Sequence, residues 1–138
     1  MTRRRVFQAL SVLWLFFIWG HSLLPAETSA AESGRWLVLL QGVLPWLTDH
    51  LIRKAAHFTE YTVLGALLRA AFPARGRAAW MELALAGLLA AMLDETIQLF
   101  SPGRSGQITD VWLDFAGFAV GVVIGWIFCF RKENNVGS

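Results

Sequence analysis

The sequence lacks several features that soluble enzymes and nucleic-acid-binding proteins commonly have. Of its 138 residues only Cys129 is cysteine, which excludes a disulfide within the chain and a zinc site built from several cysteines. The basic residues give a net charge of +2 but do not gather on one face, so nucleic acid is not expected as a partner. A Walker-type phosphate-binding motif is also missing.

Long apolar runs dominate what is present. Hydrophobic residues make up 56% of the chain, above the roughly 45 to 50% of soluble domains. The apolar runs cover residues 6–24, 51–72, 79–100 and 111–130. Each is close to the roughly 20 residues that a helix needs to cross a bilayer. We therefore predict an all-α fold, a polytopic membrane helix bundle with four transmembrane helices, in one domain spanning residues 1–138.

Basic residues predict the orientation of these spans. They cluster at three places, before the first run, around the link between the second and third runs, and after the fourth run: Arg3, Arg4 and Arg5; Arg69, Arg75 and Arg77; Arg131 and Lys132. Under the positive-inside rule these places face the cytoplasm. The sequence thus predicts a multi-pass protein of the bacterial cytoplasmic (inner) membrane, with a cytoplasmic N-terminus and a cytoplasmic C-terminus.

Two segments before the second run need separate interpretation. The N-terminal arginines and apolar run resemble a cleaved signal peptide, but the run is longer than the roughly 7 to 15 residues of a signal core. We therefore expect it to be retained as the first span. Residues 36–47 are too short to cross a bilayer, and Trp36 and Trp46 suit the level of the lipid headgroups. A short interfacial or re-entrant segment is expected there.

Ionisable residues within the last three runs predict one polar site. A charge at the centre of a bilayer costs about 2.5 to 3.5 kcal/mol or more, so such residues indicate function. The predicted topology brings them together at the outer ends of three helices. The predicted catalytic residues are His57, Glu60, Asp94 and Glu95. The predicted substrate-binding residues are Arg53, Lys54, Tyr61, Gln98, Arg104, Asp110 and Asp114.

Helical spacing supports this site. Lys54, His57 and Tyr61 follow an i, i+3, i+7 pattern, which places them on one face of the second span. In the fourth span, Asp110 and Asp114 continue into a stripe of small residues formed by Gly117, Gly121 and Gly125. Such a stripe lets a neighbouring helix approach closely. We expect it to hold the fourth span inside the bundle and Asp114 away from lipid.

Three motifs in these spans resemble a known family. They are Arg53-Lys54-x-x-His57-Phe58-x-Glu60-Tyr61-x-x-Leu64-Gly65, Asp94-Glu95-x-x-Gln98-x-Phe100-x-Pro102-Gly103-Arg104-Ser105-Gly106, and Asp110-Val111-x-x-Asp114-x-x-Gly117-x-x-x-Gly121. In this order and spacing they resemble the VanZ-like family of small bacterial membrane proteins. The resemblance implies a multi-pass membrane protein and a link to resistance against the glycopeptide teicoplanin. It does not imply a defined biochemical activity.

The residues themselves suit an anionic ligand. Arg104, Lys54 and Arg53 have the chemistry to bind phosphate, so membrane lipids or a lipid-linked cell-wall intermediate are the expected partners. His57 would then act as acid, base or nucleophile in a phosphoryl hydrolase or transferase. Alternatively, the carboxylates and His57 would hold a divalent cation as cofactor.

Other interpretations stay open. One is a non-catalytic protein that binds a lipid or antibiotic, or conducts ions or protons. Another is a purely structural polar network that fixes helix register. Arg53 and Lys54 would then only anchor headgroups, and Asp110 would only cap its helix.

Overall fold

Five α-helices make up the part of the chain that the structure describes. The structure is a computed structural model that describes residues 2–72 and 76–136, with side chains through residue 128. The helices are α1 Arg3–Ser22, α2 Ala26–Leu40, α3 Asp49–Ala71, α4 Gly76–Gln98 and α5 Ile108–Val136. No strand occurs in these residues, which confirms the predicted all-α class. The predictions made for Arg75 and for the side chains of Cys129, Arg131 and Lys132 lie outside the described residues.

Not all of the predicted spans meet the requirements for a membrane-crossing helix. Among the described residues, α4 and the Ile108–Phe128 part of α5 are long and apolar enough to cross a bilayer. A third span results if α1 and α2, which are bent by 105° at their junction, are taken as one broken span. The structure therefore indicates two to three spans rather than clearly four. Helix α3, which corresponds to the second predicted span, includes the charged side chains of Arg53, Lys54, Glu60 and Arg69.

Helix α3 nevertheless occupies the centre of the fold. It packs most extensively against α5 and next against α1. A Cβ atom at Gly117, Gly121 or Gly125 would overlap or closely crowd the backbone of α3 at Phe58, Thr62 or Ala66, respectively. The predicted glycine stripe on α5 is thus confirmed as the contact surface with α3. Close backbone approach of this kind is typical of helices that associate in membranes.

The hydrophobic core lies between α3, α4 and α5. Phe118 is its largest apolar member, and its ring fills a notch that the absence of a side chain at Gly87 leaves in α4. Its backbone carbonyl lies against Gly65 of α3. Ile18 extends this core to α1. Outside the core, α1, α4 and α5 carry many exposed large apolar side chains, a surface that suits lipid rather than water.

The connection between α1 and α3 differs from the prediction for residues 36–47. Helix α2 begins at Ala26 and ends at Leu40, and hydrogen-bonded turns follow it as far as Leu47. The predicted interfacial or re-entrant segment covers the end of α2 and the turns after it, and hydrophobicity did not indicate that this helix already begins at Ala26. The large apolar side chains of this connection are exposed, namely Trp36, Val38, Leu39, Val43 and Trp46.

Candidate functional site

A polar cleft opens where α3 begins, α4 ends and α5 begins. Its volume is about 200 Å³. Eight of the predicted site residues line it: Arg53, Lys54, His57, Glu95, Gln98, Arg104, Asp110 and Asp114. They come together because α3 and α5 start at the same end of the bundle at which α4 terminates. Five further lining residues were not among the predicted site residues: His50, Gly103, Ser105, Gln107 and Leu113.

His57 lies at the floor of this cleft beside two carboxylates from different helices. Its Nδ1 atom is 3.5 Å from Oδ2 of Asp94 and 3.8 Å from Oδ2 of Asp114. Both aspartates are 0% exposed. These separations exceed the roughly 2.7 to 3.2 Å of a normal hydrogen bond. Among the described residues neither oxygen of Asp114 accepts a hydrogen bond, and Oδ1 of Asp94 also has no donor.

Glu95 is held more firmly than these aspartates. The backbone N–H of Gln107 donates a 2.7 Å hydrogen bond to its Oε2 atom. The Nε2 atom of Gln98 lies 3.3 Å from Glu95 Oε1 and 3.4 Å from Asp94 Oδ2, so one amide bridges both carboxylates. These contacts join residues three and four positions apart within α4. They fix Glu95 at the junction between α4 and the loop that follows it.

That loop, residues 99–107, carries Arg104 into the cleft. The hydroxyl of Ser101 donates a 2.9 Å hydrogen bond to the carbonyl of Ser22, and the N–H of Ala26 donates a 3.0 Å bond to the carbonyl of Pro102. Gly103 has a φ of +75°, a left-handed conformation that favours glycine directly before Arg104. The loop is thus fastened to the junction of α1 and α2, and Arg104 is positioned by it.

The three cations of the cleft differ in their partners. Lys54 forms an ion pair with Asp110, and Arg53 Nε lies 3.1 Å from Asp49 Oδ2 within α3. In the part of the chain that the structure describes, Arg104 forms no ion pair, and its buried Nε atom has no hydrogen-bond acceptor. Burial and the nearby positive charge of Arg53 lower the pKa of Arg104 from its usual value. Arg104 therefore lacks the direct ion pair that Lys54 and Arg53 have, and only the more distant carboxylates of Asp94, Glu95 and Glu60 favour its charge.

Three predicted site residues lie outside the lining of the cleft. Tyr61 is 0% exposed, and its hydroxyl donates a 3.1 Å hydrogen bond to the carbonyl of Ala90, so the structure places it in the core between α3 and α4. Asp94 lies behind His57 rather than at the cleft surface. Glu60 points towards α1, where its Oε1 atom is 3.0 Å from Nδ1 of His21.

His21, near the end of α1, is a second histidine beside the site and was not among the predicted site residues. It joins Glu60 of α3 to Glu32 of α2, whose Oε2 atom is 3.1 Å from its Nε2 atom. Its ring stacks on that of His57 with a centroid separation of 6.4 Å. Both histidines border a smaller cavity of about 90 Å³ beside the cleft. In the sequence, the link that His21 makes between Glu60 and Glu32 is indicated by the position of this histidine at the end of the first apolar run.

These features define the chain as a small all-helical protein with membrane-length helices and a polar cleft at one end. The family model described as VanZ/LLP1 matches residues 7–129. The chain therefore belongs to the VanZ/LLP1 family, as its three motifs predicted. Comparison with curated proteins and with solved structures gave no significant match.

Proposed function

We propose that this protein crosses the bacterial cytoplasmic membrane four times and binds the phosphate-bearing headgroup of an anionic envelope lipid, or of a lipid-linked cell-wall intermediate, in its cleft. The observation that carries the proposal is Arg104, a partly buried cation held over the cleft by a fastened loop, without an anionic partner among the described residues. A guanidinium group presents a fork of donors that matches phosphate.

Electrostatics support a phosphate ligand in particular. Burial and, after it, the nearby positive charge of Arg53 lower the pKa of Arg104. An anion beside Arg104 would balance its charge and supply the acceptor that its Nε atom lacks. Lys54 would assist as a point charge on the same wall, where Asp110 already orients it.

Packing supports α3 as a membrane span despite its charges. The helix is central, and its Glu60 and Arg69 side chains are buried against the protein rather than turned to lipid. Polar side chains inside a membrane are tolerated in this way. With the basic ends of the helices in the cytoplasm, the cleft opens on the extracytoplasmic side. Helix α2, which is bent by 105° relative to α1, then lies near the plane of the outer surface.

Phosphoryl transfer is a second candidate function, favoured by the proximity of His57 and Asp94. In hydrolysis, His57 would accept a proton from water as the water oxygen bonds to phosphorus. The ester oxygen would then leave with its bonding electrons and take up a proton.

The link to teicoplanin that the family resemblance implies also belongs to the proposed function. Measuring the teicoplanin susceptibility of cells that produce the protein or its Arg104→Gln variant tests this link.

Lipid binding is best tested with two ligands that differ only in the phosphate. Purified protein in detergent would be titrated with a polyprenyl monophosphate and with the free polyprenol of equal length, and binding followed by native mass spectrometry. We expect the phosphate-bearing lipid to bind more tightly. Arg104→Gln should weaken its binding by about ten- to a hundredfold, since a hydrogen bond to a charged group contributes about 1.5 to 3 kcal/mol.

Arg77→Gln provides the control because Arg77 is an exposed arginine near the start of α4, at the opposite end of the bundle. It should bind both lipids as the unmodified protein does. Equal affinity for polyprenol and polyprenyl phosphate, or an Arg104→Gln variant with unchanged affinity, would refute phosphate recognition by the cleft.

A further inference from the structure

We infer that His57, Asp94 and Asp114 bind a divalent transition cation, such as Mn²⁺ or Zn²⁺, at the floor of the cleft. One ligand atom from each of these side chains lies within 4.8 Å of the other two. The three residues come from α3, α4 and α5, so the site forms when the helices pack. It goes beyond the proposed lipid binding, because its three protein ligands are present without any lipid.

Distances between the ligand atoms fit coordination better than hydrogen bonding. Nδ1 of His57 is 3.5 Å from Oδ2 of Asp94 and 3.8 Å from Oδ2 of Asp114. Two ligands that each lie about 2.1 Å from a metal, at tetrahedral or octahedral angles, are about 3.0 to 3.5 Å apart. The two histidine–aspartate distances are therefore within a few tenths of an ångström of those expected for a shared cation.

The unpartnered oxygens of the aspartates are an independent observation that points to a ligand. Both carboxylates are fully buried, yet among the described residues Oδ1 of Asp94 and both oxygens of Asp114 accept no hydrogen bond. Buried polar atoms normally have partners, and an orphaned atom in a native site indicates a missing water or ion. The glycine stripe packs α5 closely against α3, and Asp114 on the same face is 0% exposed.

Charge balance leads to the same conclusion. If both carboxylates are ionised, they leave a net negative charge beside His57 even when it is protonated, whereas a divalent cation with neutral His57 balances them. The further charges that act on this group are Glu60 of α3, Glu95 of α4, Asp110 of α5 and Arg104 of the loop, and their sum is negative. Buried charges in proteins are commonly paired or coordinate metals.

The ligand set also indicates which cations fit. One imidazole and two carboxylates suit Mn²⁺ or Zn²⁺, whereas Ca²⁺ prefers oxygen ligands alone. His57 and Asp114 line the cleft, so the cleft side of the cation would remain open to a small ligand. Open positions of this kind distinguish reactive metal sites from structural ones, which are closed by four protein ligands.

Binding of Mn²⁺ alone to the lipid-free protein tests this inference. Metal-free protein in detergent would be titrated with Mn²⁺ by electron paramagnetic resonance, and echo modulation would detect a coordinated ¹⁴N nucleus. We expect one Mn²⁺ per chain with a nitrogen coupling, and displacement of it by Zn²⁺. His57→Gln should abolish the nitrogen coupling, and Asp114→Asn should weaken Mn²⁺ binding at least about tenfold.

Glu82→Gln is the control, since Glu82 is an exposed carboxylate near the other end of α4, and it should bind Mn²⁺ normally. Thermal unfolding of the metal-free variants shows whether each is folded, and Mn²⁺ should raise the melting temperature of the unmodified protein but not of Asp114→Asn. No nitrogen-coupled Mn²⁺, or equal binding by His57→Gln and Asp114→Asn, would overturn the inference. If polyprenyl phosphate still binds in the presence of a chelator, lipid recognition by the cleft does not depend on the metal.

Discussion

Replacement of Gly121 by alanine tests the contact that brings α3 and α5 together beneath the cleft. A Cβ atom there would overlap the carbonyl oxygen of Thr62 and lie 3.0 Å from the backbone nitrogen of Ala66. These obstacles belong to the backbone of α3 and cannot rotate away as a side chain would. The two helices must therefore separate, and that displaces His57 and Asp114 above the contact.

The expected loss of stability combines two opposing effects. Overpacking of a close contact typically costs about 1 to 3 kcal/mol, and a backbone obstacle places Gly121→Ala at the upper end of that range. Alanine is favoured over glycine in a helix by about 1 kcal/mol, which offsets part of the loss. We expect a net loss of about 2 kcal/mol. Gly20→Ala is the matched control, because no atom lies within 4 Å of its added Cβ and only the favourable effect remains.

Thermal unfolding in detergent, followed by tryptophan fluorescence, measures the difference. At this chain length a loss of about 2 kcal/mol lowers the melting temperature by about 5 to 10 °C. Gly20→Ala should melt at or slightly above the temperature of the unmodified protein. Identical melting temperatures for Gly121→Ala and Gly20→Ala would show that α3 and α5 do not pack through the glycine stripe.

Two further predictions concern orientation and the core. In a Cys129→Ser background, cysteine at Ser105 should react with an impermeant thiol reagent on intact cells and cysteine at Arg77 should not, because the positive-inside rule places the start of α4 in the cytoplasm; the reverse pattern would invert the topology. Tyr61→Phe should lower the free energy of unfolding by about 0.5 to 1.5 kcal/mol through loss of the bond to Ala90, yet leave lipid and Mn²⁺ affinity unchanged, as titrations of the variant would show. Loss of either affinity in folded protein would assign Tyr61 to the site instead.

Helical periodicity and topology together were enough to predict most of the cleft. The regular spacing of Gly117, Gly121 and Gly125 identified the face of α5 that meets α3, and the same face carries Asp114. The polar ends of α3, α4 and α5 meet because alternate helices run in opposite directions. These features depend on local repeats and chain direction, which a sequence displays directly.

Contacts between distant helices could not be predicted in the same way. Tyr61 follows His57 by four residues, which predicts that both lie on the same face of α3. The Tyr61 side chain nevertheless packs against α4, where its hydroxyl bonds to the carbonyl of Ala90. Glu60 likewise points to His21, and no spacing within α3 shows that α1 brings a histidine there. The central position of α3 in the bundle could not be predicted from its mean hydropathy. That mean combines the charged and the apolar faces of the helix, which have different surroundings in the packed bundle.

Solid-state nuclear magnetic resonance of the lipid-bound protein tests the proposed cleft most directly. Rotational-echo double resonance between arginine side-chain ¹⁵N and lipid ³¹P detects a guanidinium bound to phosphate, for which the nitrogen and phosphorus atoms are about 4 Å apart. With polyprenyl phosphate bound, we expect clear ³¹P dephasing in the unmodified protein and in Arg77→Lys, and markedly weaker dephasing in Arg104→Lys, in which Arg53 is the arginine that still lines the cleft. Absence of dephasing in the lipid-saturated unmodified protein, or undiminished dephasing in Arg104→Lys, would contradict phosphate binding by Arg104.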